Sequence, residues 1–274
     1  MYNILDNKGL LTLIAGPCVL ESYENAVGMA KTLKSITEQL KIDFYFKVSI
    51  DKANRTSATH YRGLGIEKGL EVLAQVKKDA EVRVATDIHE PWQASKIAEV
   101  ADIIQVPAFL CRQTDLLKAA AETEKIINVK KAQFMSPEEM GKVAEKLIYF
   151  GNKKILLCER GSAFGYNNLI VDMAGLARLK KHGFPVVFDA THSVQISGGG
   201  ENVSNSGASE YVPYLAKAAL ATGAVDVLFL ETHNDPKNAL CDGSCMVELS
   251  KMERLLEKCI QIFKLGKEDM DVCS

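Results

Sequence analysis

Reactive side chains follow short apolar segments at eight points along this chain of 274 residues. They are, in chain order, Cys18, Lys47, Asp87, Gln105, Lys130, Arg160, His192 and Glu231. Thiolate, imidazole and carboxylate groups are ligands of divalent metal ions, whereas lysine and arginine bind phosphate and carboxylate groups. Such a set could bind an anionic substrate beside a metal ion, provided that the fold brings its members to one place.

The segments that precede these residues predict strands. They are short and rich in Val, Ile and Leu, as in VRVATD, IINVK and VLFLE, which is typical of parallel strands buried on both faces. Stretches with helical spacing lie between them, at 26–40, 66–79, 114–123, 136–150, 173–183 and 211–223. Eight alternations predict an α/β fold, a closed (β/α)8 TIM barrel whose active site lies at the carboxyl ends of the strands.

The length and composition bound the function. A chain of 274 residues is close to the roughly 250 of one such barrel, so we predict a single domain over residues 1–274. The formal net charge of −2 favours neither nucleic acid nor an anionic membrane as a partner. No apolar run approaches the roughly 18 residues that span a bilayer, and the first residues lack the basic segment of a signal peptide.

The seven cysteines indicate reduced thiols in the cytoplasm, because their number is odd and no secretory signal precedes them. Cys241 and Cys245 have no second pair with which to form a zinc knuckle, so we do not expect that pair to be a metal site by itself.

Three segments look irregular. Residues 1–10 predict a short hairpin that closes the bottom of the barrel, with the turn at Asp6–Gly9. Residues 197–209 and 232–245 follow the last two strands and are rich in Gly, Ser, Asn and Asp. Both leave the catalytic rim, and we interpret them as active-site loops; a tolerated surface insertion is the alternative for 197–209.

A metal site is predicted where the barrel closes. Strand one lies beside strand eight, and strand eight beside strand seven, so Cys18, His192 and Glu231 converge. Asp242, in the loop after strand eight, can reach the same place. A thiolate and an imidazole favour Zn²⁺, Fe²⁺ or Mn²⁺ over Mg²⁺ and Ca²⁺. The alternative is that these residues have structural roles, with Cys18 a buried thiol and His192 a hydrogen-bonded imidazole, and for any one of them alone this interpretation would be favoured.

A second predicted cluster is cationic and lies at the ends of strands two, five and six. Its members are Lys47, Lys52, Arg55, Lys130 and Arg160. Basic groups gathered at one rim need an anion to offset their repulsion, and phosphate or carboxylate is the natural partner. Lys131 is expected to be an ordinary surface lysine.

Asp87, His89 and Glu90 form a dense polar cluster after strand three. A carboxylate there could bind a substrate hydroxyl or act as a base. One of the three could instead cap the helix that starts near Pro91 and Trp92.

Several long motifs resemble those of one family, the 3-deoxy-D-manno-octulosonate-8-phosphate synthases. They run in order from about residue 11 to residue 245: GPCVLES, FKVSIDKANRTS, ATDIHEP, IIQVPAFLCRQTDL, INVKKAQF, CERGSAFGYNNLIVDM, FDATHSVQ, FLETH and CDG. The resemblance implies condensation of phosphoenolpyruvate with arabinose 5-phosphate and water, with release of phosphate. The product supplies Kdo for lipopolysaccharide, and the resemblance further implies a cytoplasmic homotetramer.

The same resemblance assigns roles to individual residues. The phosphoenolpyruvate ligands it implies are Lys47, Lys52, Lys130 and Arg160, assisted by Ser49, Gln105, Pro107 and Ala108. The arabinose 5-phosphate ligands it implies are Asn54, Arg55, Thr56 and Ser57, with Thr56 standing where the family motif has Ser. The catalytic residues we expect are Lys130, Asp87, His192 and Asp242.

Cys18 follows the first GP, and in this the chain resembles the metal-dependent class of the family. The resemblance implies that the metal ligands are Cys18, His192, Glu231 and Asp242. One alternative is the related 3-deoxy-D-arabino-heptulosonate 7-phosphate synthase, which typically has a KPRT motif where this chain has KANRTS. The other is a non-catalytic sugar-phosphate sensor, which would have no need of four metal ligands.

Overall fold

Eight parallel strands close into a barrel in the computed structural model, which describes residues 5, 9–55, 57–166, 168–195 and 208–268. The barrel strands are β1 (Thr12–Gly16), β2 (Asp43–Lys47), β3 (Arg83–Asp87), β4 (Ile103–Val106), β5 (Ile126–Lys130), β6 (Ile155–Glu159), β9 (Val186–Asp189) and β10 (Val227–His233). Strand β1 pairs with both β2 and β10, in register from Thr12↔Val227 to Gly16↔Glu231 on the closing side. The predicted (β/α)8 barrel is confirmed.

Helices surround the barrel. They are α1 (Tyr23–Leu40), α2 (Ile66–Ala80), α3 (Gln93–Ala98), α4 (Thr114–Ala121), α5 (Glu139–Tyr149), α6 (Met173–Lys180), α7 (Val212–Ala221) and α8 (Met252–Glu268). All six predicted helical stretches are confirmed, and the helix expected near Pro91 begins at Gln93. Helix α1 is typical: the Ser22 side chain accepts a hydrogen bond from Asn25 N, and Met29 and Leu33 are among its buried residues.

Alternation along the strands decides what reaches the barrel mouth. The interior cluster includes Tyr45, Ala85, Ile103, Val187 and Phe229. Because side chains alternate between the two faces of a strand, residues two positions further on share that face. They are Lys47, Asp87, Gln105, Asp189 and Glu231, and all are buried. The apolar interior therefore ends in a polar layer at the carboxyl end.

Two small elements were not predicted. An antiparallel hairpin, β7 (Ser162–Phe164) and β8 (Asn168–Ile170), follows β6, and Ala163 N donates to Gln133 O at 2.9 Å. A short strand, β11 (Val247–Glu248), extends the sheet beside the end of β10. Between β10 and β11 the chain forms 3₁₀ turns at Pro236–Asn238 and Gly243–Cys245.

Most of the predicted hairpin at 1–10 and of the segment 197–209 lies outside the described residues. Leu5 is buried and packs with the interior cluster. No helix in the described parts of the chain has the length and apolar character that crossing a bilayer requires.

Candidate active site

Asp242 lies between the other predicted metal ligands and contacts both Cys18 and His192. The Cys18 thiol donates to Asp242 Oδ2 at 3.1 Å. His192 Nε2 lies 3.6 Å from Glu231 Oε2 and 3.9 Å from Asp242 Oδ2. His192, Glu231 and Asp242 offer ligand atoms within 4.8 Å of one another, and Cys18 joins Asp242 in a second such group. The structure thus brings the four predicted residues to one place, as two groups that share Asp242.

The backbone of the loop after β10 holds Asp242 over the mouth. Asp242 has φ 49° and ψ 21°, the left-handed conformation that aspartate tolerates better than most residues. Gly243 lets the turn close, because a Cβ there would lie 2.0 Å from Pro236 O. Leu240 N donates to Glu21 Oε1 at 3.0 Å and ties the loop to the segment before α1. The loop from residue 234 to residue 245 therefore lies beside the mouth, whereas Thr232 and His233, predicted to belong to the loop, are the last residues of β10.

Asp189 orients His192. His192 Nδ1 lies 2.7 Å from Asp189 Oδ2, and His192 N donates to Asp189 Oδ1 at 2.9 Å. Burial alone would raise the pKa of Asp189, but His192 and Lys130 hold that pKa well below its usual range. An ionised carboxylate only accepts, so Nδ1 donates to Asp189, which orients the ring with Nε2 toward Glu231 and Asp242.

The residues fit a divalent ion. Glu231 Oε2 is fully buried and has no hydrogen-bond partner among the described residues. A buried carboxylate oxygen without a hydrogen bond is costly, and a cation would satisfy it. Burial, the Cys241 hydrogen bond and the nearby carboxylates raise the pKa of Cys18 well above its ordinary value. Sulfur, imidazole nitrogen and carboxylate oxygens suit Zn²⁺ or Fe²⁺ better than Mg²⁺.

Buried cations face this group across the mouth. Lys47 Nζ donates to Ser49 Oγ at 2.9 Å and lies 3.4 Å from Glu231 Oε1. Lys130 Nζ pairs with Asp189 Oδ2 and lies 3.4 Å from the centre of the Phe229 ring. Lysines buried this deeply are held by carboxylates, and their remaining N–H groups are available to an anion.

Arg160 has unused hydrogen-bonding capacity. Its Nη2 donates to Gln195 Oε1 at 2.9 Å, while Nη1 is buried with no partner among the described residues. Burial lowers the pKa of this guanidinium. An unpaired guanidinium nitrogen in a buried site is suited to a carboxylate or phosphate oxygen.

Asp87 and Lys52 complete the charged layer. Asp87 Oδ2 lies 3.2 Å from His89 Nε2, and Asp87 Oδ1 is buried without a partner in the described structure. Burial alone would lower the pKa of Lys52, but the neighbouring Cys18 and Glu231 raise it above its ordinary value. The capping alternative is wrong: α3 has no side-chain cap, and Gln93 Oε1 instead accepts from the His89 and Glu90 amides.

The remaining predicted substrate ligands lie further out. Gln105 Oε1 accepts from Asn128 Nδ2 at 3.2 Å within the barrel. Pro107 and Ala108 begin the 3₁₀ turn after β4. Asn54 is exposed, Ser57 Oγ lies 2.9 Å from Thr59 Oγ1, and Thr56 lies outside the described residues.

Arg55 is half-buried and extends from the edge of the mouth to the loop after β10. Its Nη1 lies 2.6 Å from Cys241 Sγ, and its Nη2 donates to Leu240 O at 3.4 Å.

The expectation for Lys131 is wrong. This side chain is completely buried, 3.4 Å from Glu159 Oε1, and donates to Ser162 Oγ at 2.9 Å and to three main-chain oxygens. It lies on the face of the strand opposite to Lys130, which in a barrel is covered by helices and connections rather than by water. There it anchors the segment that leads from Arg160 into the β7–β8 hairpin.

Three residues of the site were missed. Asp189 ends β9, within the segment whose predicted reactive residue is His192. Gln195 bridges Arg160 and Asp242, since its Nε2 donates to Asp242 Oδ1 at 3.3 Å. Cys241 donates to Asp242 Oδ2 at 3.3 Å. The strand alternation could have revealed Asp189; Gln195 and Cys241 depend on loop paths that the sequence pattern does not specify.

Comparisons with known proteins cover nearly the whole chain. The model of the DAHP synthetase I family matches residues 3–268. A protein of Rickettsia bellii named 2-dehydro-3-deoxyphosphooctonate aldolase is 52% identical over 94% of this chain and 93% of its own. Proteins of the same name from a Cyanothece species (53% identical, 91% of both chains) and Fusobacterium nucleatum (49% identical, 96% of this chain and 94% of its own) are also similar.

Proposed function

The chain belongs to the DAHP synthetase I family, and from this premise we propose that it is a 2-dehydro-3-deoxyphosphooctonate aldolase. It condenses phosphoenolpyruvate with arabinose 5-phosphate and water and releases inorganic phosphate. The eight-carbon product supplies Kdo for lipopolysaccharide. Similarity to the relatives of that name over more than nine-tenths of the chain supports this activity rather than the fold alone.

The observation that carries the proposal is the buried cationic layer at the barrel mouth. Lys47, Lys130 and Arg160 are each at most 5% exposed, and Arg160 Nη1 lacks a partner among the described residues. Phosphoenolpyruvate offers a carboxylate and a phosphate to such a layer. Holding two anionic substrates in register offsets their repulsion and removes much of the entropic cost of a two-substrate reaction.

The reaction needs three proton movements. C3 of phosphoenolpyruvate attacks the aldehyde carbon, and the aldehyde oxygen takes up a proton. Water adds to C2 and loses one proton. The C2–O bond to phosphate then breaks, and the new C2 hydroxyl loses its remaining proton, which leaves with the phosphate, to give the ketone. Asp87, His192 and Asp242 line the mouth and can hold or relay these protons. The lysines act by charge, so borohydride should trap no lysine–substrate adduct.

We also propose metal dependence, with Cys18, His192, Glu231 and Asp242 as ligands. The absence of a hydrogen bond to Glu231 Oε2 among the described residues and the mixed sulfur, nitrogen and oxygen donors support it. The chemistry that such an ion supplies is Lewis acidity toward the aldehyde oxygen or the attacking water. Removal of Zn²⁺, Fe²⁺ or Mn²⁺ by a chelator should abolish turnover, and restoring the ion should recover it.

The rival activity is that of 3-deoxy-D-arabino-heptulosonate 7-phosphate synthase, whose name the family description carries. The difference lies in the aldose phosphate, so phosphate release with arabinose 5-phosphate and with erythrose 4-phosphate decides between them. We expect turnover with the five-carbon sugar. Preference for erythrose 4-phosphate would contradict the assignment. If phosphate is released with neither sugar, the alternative of a non-catalytic sugar-phosphate sensor is favoured.

A homotetramer in the cytoplasm is part of the proposal. Exposed aromatic side chains follow the adjacent strands β3 to β6 on the catalytic rim: Trp92, Phe109, Phe134 and Phe164. Such an array of apolar side chains is suited to contacts with further copies of the chain. The odd number of cysteines supports a reducing compartment, and the six in the described residues are free thiols. Light scattering of the purified protein tests the tetramer.

A further inference from the structure

Two thiols converge on one carboxylate oxygen at the candidate metal site. Cys18 Sγ lies 3.1 Å from Asp242 Oδ2, and Cys241 Sγ lies 3.3 Å from the same atom. The three ligand atoms lie within 4.8 Å of one another. Each thiol directs its S–H toward Oδ2, which places two replaceable protons around a single acceptor.

Cys241 differs from an ordinary buried cysteine in its surroundings. Arg55 Nη1 lies 2.6 Å from its sulfur, so a guanidinium group borders this side chain. Cys245, four residues further on, belongs to neither group of ligand atoms and is equally buried, with Ser244 Oγ at 3.8 Å. The position of its sulfur, within 4.8 Å of the ligand atoms of Cys18 and Asp242, therefore distinguishes Cys241 from Cys245 as a potential metal ligand.

We propose that Cys241 is a second thiolate ligand of the divalent ion, together with Cys18 and Asp242. The proposal rests on the metal dependence put forward above and adds a donor to it. Binding of M²⁺ forms two metal–sulfur bonds and releases the two thiol protons to solvent. Glu231 Oε2 is buried and has no hydrogen-bond partner among the described residues. It offers a further oxygen ligand from the second group of ligand atoms, which also contains Asp242.

A second thiolate changes which ion the site prefers. Soft sulfur donors favour Zn²⁺ and Cd²⁺, whereas Mn²⁺ prefers oxygen and nitrogen ligands. A site with two thiolates should therefore select Zn²⁺ over Mn²⁺ more strongly than one with a single thiolate. Cys241 is on this proposal a determinant of the native metal.

Cobalt(II) is the probe that tests the proposal, without substrates. Cobalt bound to thiolates absorbs in the near ultraviolet by sulfur-to-metal charge transfer, with an intensity that rises with the number of thiolates. On purified, chelator-treated protein reloaded with Co²⁺, Cys241→Ser should remove about half of this absorbance, and Cys18→Ser about half. The double variant should remove all of it. Cys245→Ser is the matched control and should leave it unchanged.

The outcomes separate this inference from the proposed metal dependence. If Cys18→Ser removes the whole band and Cys241→Ser none, Cys241 is not a ligand, while the four-ligand site stands. If the wild-type protein shows no thiolate band, both ideas fail. Competition between Zn²⁺ and Mn²⁺ provides a second measurement: Cys241→Ser and Cys241→Ala should each lower the preference for Zn²⁺ by about tenfold or more. An unchanged preference in both overturns the inference.

Discussion

Asp189→Asn is the sharpest test of how the site is held together. The carboxylate accepts from Lys130 and from both His192 nitrogens that face it, the ring Nδ1 and the main-chain N. Asparagine keeps the size of the side chain but removes the charge and can present an N–H to a donor. Lys130 then has no counter-ion at this position, and the Nδ1 proton of His192 is no longer fixed.

The magnitude follows from the burial of these groups. Asp189 is completely buried and Lys130 is 5% exposed. Removing one partner of a buried ion pair costs about 3–5 kcal/mol. In a domain of this size 1 kcal/mol corresponds to about 2–4 °C, so we expect a fall in Tm of about 6–20 °C. Loss of the group that orients a metal-binding histidine lowers activity or metal affinity by about 10–100-fold.

Asp226→Asn is the matched control. Asp226 accepts from Lys180 and Lys267 at the opposite end of the barrel. The Asp226→Asn variant should have a lower free energy of unfolding, while its kcat/KM for phosphoenolpyruvate stays near the wild-type value. The assay is phosphate release below the Tm of both variants, with Zn²⁺ affinity measured separately. A wild-type kcat/KM and Zn²⁺ affinity in Asp189→Asn would refute the reasoning, as would equal losses in both variants.

Three further outcomes are expected. Lys131→Met should lower the free energy of unfolding in urea by about 3–5 kcal/mol, whereas Lys142→Met, in an exposed ion pair, should change it by less than about 1 kcal/mol. Burial alone would raise the pKa of Asp242, but His192 and Lys52 lower it from 3.8 to about 2. The free energy of unfolding of the metal-free protein should therefore fall by about 2 kcal/mol as pH falls from about 4 to about 2, and that of Asp242→Asn should fall by less, as measured by urea unfolding at each pH. Gly16→Ala places a Cβ 2.2 Å from a carbonyl oxygen of β2 and should cost about 3 kcal/mol, whereas Gly28→Ala, in α1 with open space, should stabilise by about 0.5–1 kcal/mol; thermal unfolding measures both.

The barrel could be predicted because its strands are buried on both faces. Such strands are continuous apolar runs, and eight of them separated by helical stretches leave few other arrangements. The β7–β8 hairpin has no comparable signal, since Phe164 and Ile170 are exposed. Helix α8 could have been found, because Met252, Leu255, Leu256 and Cys259 are buried at helical spacing.

The sequence predicted the positions of the candidate site residues more completely than their contacts. Residues at strand ends, such as Lys47 and Glu231, follow from topology alone, because all carboxyl ends meet at one rim. Asp189 was not among the predicted residues because its segment VVFDATH runs on to the more reactive His192; alternation from Val187 is the signal that indicates Asp189. Gln195 and Cys241 could not be predicted, since their positions depend on how two loops fold back over the mouth.

The pairing of β1 with β10 makes the first and last strands of the barrel neighbours. Cys18 and Asp242 touch although 224 positions separate them along the chain. A polypeptide emerging from the ribosome therefore cannot assemble the proposed metal centre until almost the whole of it has been synthesised. Any truncated translation product that ends before β10 lacks Glu231 and Asp242 together, and with them two of the four proposed ligands.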